Sequence, residues 1–186
     1  GVPRRAAYGS VMLSTVTLVG GASLLVATAG LTPLGAGTPW WAVTAGGLAV
    51  LALAVPIGRR TVSRLLHLDR TVPAGAIART VLGTLPFWLV VGVSTWMVAS
   101  SMVDLPVGPV VTAAVTSWLA GIVFLPAPGG IGVREAVFAT ALTAIDPTIG
   151  HGTAAVIALV ARATYMVADA AWLPLGRLVP VSRQDD

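Results

Sequence analysis

LPAPGGIGVREAVF, residues 125–138, interrupts an otherwise apolar chain and decides how its helices can be arranged. Pro126 and Pro128 lack backbone N–H groups and stop a continuing helix, while Gly129, Gly130 and Gly132 open backbone angles that other residues avoid. Before the break no charge occurs between Asp104 and Arg134; after it, Asp146, Pro147 and Gly150 end the stretch 134–145. A helix over 134–145 reaches only about 18 Å, too short for the ~30 Å hydrocarbon layer of a bilayer. The spacing predicts a half-helix there.

Composition is what makes a bilayer the relevant yardstick. Of 186 residues, 56% are hydrophobic and 10% are charged, where an ordinary soluble domain carries about 25% charge. Outward from the break, uncharged runs approach the ~20 residues that one crossing needs. Spans are expected at 10–31, 40–57, 80–103, 107–125 and 151–173, with the half-helix 134–145 before the last. Gly20 and Gly21 allow another helix to approach the first span, and Trp40 and Trp41 open the second at headgroup depth. Pro86 should kink the third. The expected fold class is all-α: a polytopic transmembrane helix bundle with a re-entrant or broken-helix hairpin, residues 1–186 forming one transmembrane domain. The chain starts at Gly1 with a basic stub and no small-residue cleavage motif, so it reads as a fragment of a longer protein rather than as a signal peptide.

Arginine placement gives the orientation. Arg59, Arg60, Arg64, Arg70 and Arg79 crowd the connection 58–79, whose only acid is Asp69, and mark it as a cytoplasmic loop. Val62, Leu65, Leu66 and Asp69 fit a short helix in the headgroup plane, although a basic linker is the simpler reading. Basic residues also put both termini inside. The turns near Pro33 and Asp104 then lie outside, and the count of crossings requires the Asp146 turn outside as well. The segments flanking 126–133 must therefore enter and leave by one face. A multi-pass protein of the bacterial plasma (inner) membrane is expected.

The net charge of +4 sits at segment ends, where it meets anionic lipid headgroups, so no nucleic-acid partner is expected. All eleven basic residues are Arg; there is no cysteine, and only two histidines. Thiolate metal sites and a histidine cluster are excluded, and neither a metal nor a cofactor is expected.

The candidate site follows from the break. Free N–H groups of Gly130, Ile131, Gly132 and Val133 at the start of the half-helix, reinforced by its dipole and with Gly129 beside them, favour an anion such as a lipid phosphate. Arg134 either strengthens that site or snorkels to the interface; Glu135 suits the helix start, caps it or pairs with an arginine. Arg162, near the middle of the last span, costs at least ~2.5 kcal/mol to insert and needs a partner. Asp169, two turns along the same face, and Glu135 on the half-helix are the candidates. Arg162 is then either a headgroup-phosphate ligand in a water-filled cavity or half of a structural ion pair. His151 reads as an interfacial or cap residue, while Trp118, Tyr165 and Trp172 line a lipid path or simply pack.

Pro128, Gly129, Gly130, Ile131, Gly132 and Glu135, followed by Arg162 within LVARATYMVAD, resemble the signature of the lysylphosphatidylglycerol synthase transmembrane-region family of flippase-like membrane proteins. That signature is a Pro-Gly-Gly-hydrophobic-Gly-x-x-Glu run after a long apolar helix, then a helix with a membrane-embedded Arg. The likeness covers about residues 11–179 and corresponds to the C-terminal half of the family's membrane region. It implies upstream transmembrane helices of the same protein as partners, and movement of an anionic, aminoacylated, glycosylated or polyprenyl-phosphate lipid between leaflets. The alternative it leaves open is a membrane anchor or scaffold for a lipid-modifying synthase or glycosyltransferase. An enzyme has the least support, because Glu135, Asp169 and His151 form no recognisable acid–base or metal spacing.

Overall fold

A computed structural model describes residues 4–29, 56, 73–124 and 130–176. Among them the regular elements are helices with no strand: α1 Arg4–Ala29, α2 Ala74–Gly83, α3 Leu85–Ser100, α4 Val107–Val123, α5 Val133–Ile145 and α6 His151–Gly176. The second span assigned to 40–57, apart from Pro56, and the part of the basic loop before residue 73 lie outside the described residues.

Local chemistry accounts for where the helices start and stop. α2 begins at Ala74, inside the stretch assigned to the loop 58–79, because Pro73 has its φ pre-set near −59° and precedes the first turn. Arg79 consequently stands exposed on a helix, its Nε donating to the Gly75 carbonyl at 3.4 Å. Pro86 has no N–H for the carbonyl four residues back, and the interruption falls just upstream, at Thr84. The Thr84 N–H is shared between Thr80 O at 3.2 Å and Val81 O at 3.1 Å. Pro106 starts α4 where expected, and α4 ends at Val123, two residues short of the expected limit. The half-helix spans 13 residues, about 20 Å.

Two stretches, Ala78–Ser100 and His151–Ala171, are long and apolar enough to cross a membrane. A core helix of a soluble protein passes the same test but is mostly covered by its neighbours, whereas here 28% and 22% of the two windows are buried. Phe87, Leu89, Val90 and Met97 on α3, and Val156, Leu159, Met166 and Val167 on α6, are exposed. Length, apolarity and uncovered apolar faces together suggest membrane association.

α4 is the central element, apolar on all sides, as a helix enclosed by others must be. On one side Val111, Val115 and Leu119 meet Val19, Ala22 and Val26 of α1 and Trp88 and Val91 of α3. On another, Val110, Ala113 and Ala114 share a core with Phe138 and Leu142 of α5, which Ala154, Ile157, Ala158 and Ala161 of α6 complete by packing against α5 and α3. The α6 set recurs at helical spacing and is mostly alanine, which lets the backbones approach. Leu105 and Val110, at the start of α4, share this cluster with Leu142 at the end of α5 and with Ile149. The chain therefore goes out along α4 and returns along α5 to the end from which it came.

Glycine makes a second close approach possible. A Cβ at Gly21 would run into the Thr84 hydroxyl and lie 3.2 Å from Val81 O, so the neighbour expected at the glycine pair is the α2–α3 junction. Trp88, 1% exposed, anchors that contact by donating from Nε1 to the Leu18 carbonyl at 2.9 Å. At the far end, the Asp146 carboxylate accepts from the Thr148 hydroxyl at 2.7 Å and its N–H at 2.9 Å. These bonds, the hydroxyl's first, hold Asp146 below the usual carboxylate range and fix the α5–α6 turn. Replacing Trp88 by Ala removes a buried ring and its hydrogen bond to the Leu18 carbonyl. It should destabilise the fold by about 3–5 kcal/mol in equilibrium unfolding from mixed micelles, with Trp88→Phe losing clearly less.

Candidate functional site

The break places a cation against the end of α4. Arg134, in the first turn of α5, lies with its guanidinium carbon 3.8 Å from the centroid of the Trp118 ring. Gly121, one turn beyond Trp118, makes room, since a Cβ there would strike the Arg134 side chain. Gly130 closes the slot. It has φ +69°, and a Cβ on it would stand 2.6 Å from the Gly121 Cα and 3.0 Å from Arg134 Nε. Arg134 Nε is buried and makes no hydrogen bond among the described residues. A desolvated cation–π contact contributes ~2 kcal/mol, and an unmet buried donor costs about 1–3 kcal/mol. The two roughly cancel, so the slot gives no large stability gain and holds an unused donor at the site.

Glu135 joins two elements. Gly132, at φ +83°, precedes α5 and donates its N–H to Glu135 Oε2 at 2.7 Å. This is the carboxylate arm of a capping box; the reciprocal arm is missing because glycine has no side-chain acceptor. The other oxygen, Oε1, lies 3.6 Å from Arg162 Nε on α6, with the two side chains 17% and 26% exposed. At that distance the pair is an ion contact without a hydrogen bond. Of the two acids offered to Arg162 by the sequence, the structure brings up the one on the other helix. Asp169 is exposed and forms no ion pair among the described residues.

A polar patch continues from Arg162. Tyr165, one turn along α6, donates to the Val91 carbonyl at 2.7 Å, lies 3.3 Å from the Ser94 hydroxyl and contacts the Thr95 hydroxyl. Its ring meets Trp118 edge-on at 5.7 Å, and Trp118 meets Trp88 at 6.1 Å. Tyr165 thus ties α6 to α3. Between these groups lies a cavity of about 30 Å³ lined by Thr95, Ser117, Trp118, Arg134, Glu135 and Arg162. One water needs ~10–15 Å³ by such a measure, so the space is water-sized. Two arginines and one glutamate leave it with net positive charge. Glu135 and Arg162 each lie about 15 Å along their helices from the 146–150 turn.

Of the residues expected at the site, Gly130, Gly132, Arg134, Glu135 and Arg162 come together here; Gly129 lies outside the described residues. Trp118 was expected only as a path or packing residue, and Gly121 was missed altogether. Their three-residue spacing just before the break puts them on one helix face, beside whatever the returning segment carries. Comparison of the chain with known family models, with curated proteins and with solved structures returns no match.

The two positive-φ glycines should respond differently to alanine. Around Gly132 nothing lies within 4 Å of an added Cβ, so Gly132→Ala should cost only the backbone penalty of its positive φ, about 1–3 kcal/mol. Gly130→Ala adds a collision with the Gly121 backbone and should cost clearly more in the same unfolding measurement. Equal losses would contradict the slot.

Proposed function

We propose that this chain is part of a flippase-like multi-pass membrane protein that accepts an anionic lipid headgroup at the Arg134–Glu135–Arg162 cluster and passes it between leaflets. The observation that carries the proposal is the cluster's depth and net charge. If the 146–150 turn marks one membrane surface, a site ~15 Å along both α5 and α6 falls near the middle of a ~30 Å hydrocarbon layer. Discontinuous helices in transporters put substrate sites at that depth, with helix N-termini directed at anionic groups. A net positive site there is costly to keep, and phosphate-bearing headgroups are the membrane's own anions.

The neighbouring surface suits the rest of a lipid. Leu89, Val90, Val93 and Met97 line an open apolar groove of about 310 Å³ on α3, with Ser94 in its wall. Ser94 also reaches the Tyr165 hydroxyl, so polar cluster and apolar groove share an edge. A headgroup at the arginines and tails along the groove would each meet matching chemistry. The resemblance of residues 128–135 and Arg162 to the lysylphosphatidylglycerol synthase transmembrane-region signature points the same way. In this reading the bacterial inner membrane is the location, both termini are cytoplasmic, and α4–α5 is a re-entrant hairpin.

Leaflet exchange of a fluorescent phosphatidylglycerol in proteoliposomes tests the proposal. The chain should accelerate exchange over protein-free vesicles, and Arg162→Ala should lower that rate by about tenfold or more, the scale of one lost charge-assisted contact. Wild-type rates in Arg162→Ala would remove this arginine from the mechanism. An anchor or scaffold module would show no acceleration in either protein.

A further inference from the structure

The proposed headgroup site already contains an anion. Glu135 offers a carboxylate oxygen to Arg162, and a phosphate oxygen approaching the two arginines would seek the same place. The contact it would have to replace is loose: 3.6 Å at Arg162 Nε, with both partners part-exposed. The other carboxylate oxygen is held separately, by the Gly132 N–H at 2.7 Å. Glu135 can therefore release Arg162 while remaining fixed to its own helix. Arg134 Nε, on the other side, is a buried donor with no acceptor among the described residues. Arg134, Glu135 and Arg162 line one cavity of about 30 Å³, water-sized, so a phosphate can enter only if lining side chains move, and the loose Glu135–Arg162 contact is the one whose opening also frees a cation.

From this geometry we infer that Glu135 is an internal counter-anion that occupies Arg162 until a phosphate group displaces it. The inference rests on the proposed anion site and adds to it a built-in competitor. Displacement breaks one ion contact, between Glu135 Oε1 and Arg162 Nε, and forms phosphate contacts to Arg162 and to the guanidinium of Arg134, which lines the same cavity; no covalent bond changes. A displaceable counter-anion has the opposite mutational sign to a structural salt bridge. Removing one partner of a structural pair weakens the site, because a charge is left unpaired. Removing an internal competitor strengthens binding, because the incoming anion no longer meets a like charge or gives up part of its arginine.

Equilibrium binding of phosphatidylglycerol to the full chain in phosphatidylcholine nanodiscs tests this, with inorganic phosphate as a second probe to separate a lipid headgroup from a free anion. Glu135→Gln keeps an oxygen for the Gly132 N–H and removes the charge; Glu135→Ala removes both. Either variant that retains helix content by circular dichroism should bind phosphatidylglycerol about tenfold more tightly than the wild type. Arg162→Gln should lose most of the binding in either background. Phosphatidylglycerol affinity equal to or below wild type in the folded Glu135 variants overturns the counter-anion, while wild-type binding that depends on Arg162 leaves the anion site standing. Loss of fold in both Glu135 variants makes the pair structural and also overturns the inference. Tighter binding of inorganic phosphate alone overturns it for lipid. No binding of either probe by any of these proteins overturns site and competitor together.

Discussion

The arrangement of this chain depends on where the guanidinium of Arg134 can go. It stands at the start of a short helix, beside apolar elements on most sides, and it cannot lie there without a shaped recess. Trp118 supplies a ring face, Gly121 the absence of a side chain, and Gly130 a left-handed bend that brings the returning backbone against α4. Each depends on the others. A side chain at Gly121 would push the arginine off the ring, and at Gly130 it would separate the two halves of the hairpin.

That slot sets how closely the hairpin can close, and the apolar core between α4 and α5 holds it. With the end of α4 held to the start of α5, the two helices run antiparallel over a common core, and Leu142 returns to the level of Leu105. The tight turn at Asp146 then lays α6 against α5 in the same way, bringing Arg162 level with Glu135. Small residues on α6 permit the approach, and Tyr165 carries the polar contacts across to α3. Large apolar side chains on the opposite faces of α3 and α6 are left uncovered, as the proposed bilayer setting requires.

Much of this was legible because proline, glycine and charge act locally. Pro126, Pro128 and the glycines announce the break; Asp146, Pro147 and Gly150 announce the end of a helix too short to cross a bilayer; and an arginine inside an apolar run demands an acid. The choice between Glu135 and Asp169 was not legible, since it depends on the register of α6 against α5, which the alanine packing decides. The receptor for Arg134 was hidden for a similar reason. Trp118 and Gly121 look like ordinary members of an apolar helix until the returning segment is laid beside them. At Thr84 the sequence located the disturbance by its proline but not the residue that absorbs it.

In the proposed arrangement α4 and α5 enter and leave one face of a membrane, with the charged cluster at their turning point. Because the chain has no cysteine, single cysteines can be introduced at Ser101 and at Thr148, in the two connections that flank the hairpin, and reacted with a membrane-impermeant maleimide in intact spheroplasts. Both positions should be labelled from the outside. Labelling of one from outside and of the other only after lysis would contradict that arrangement.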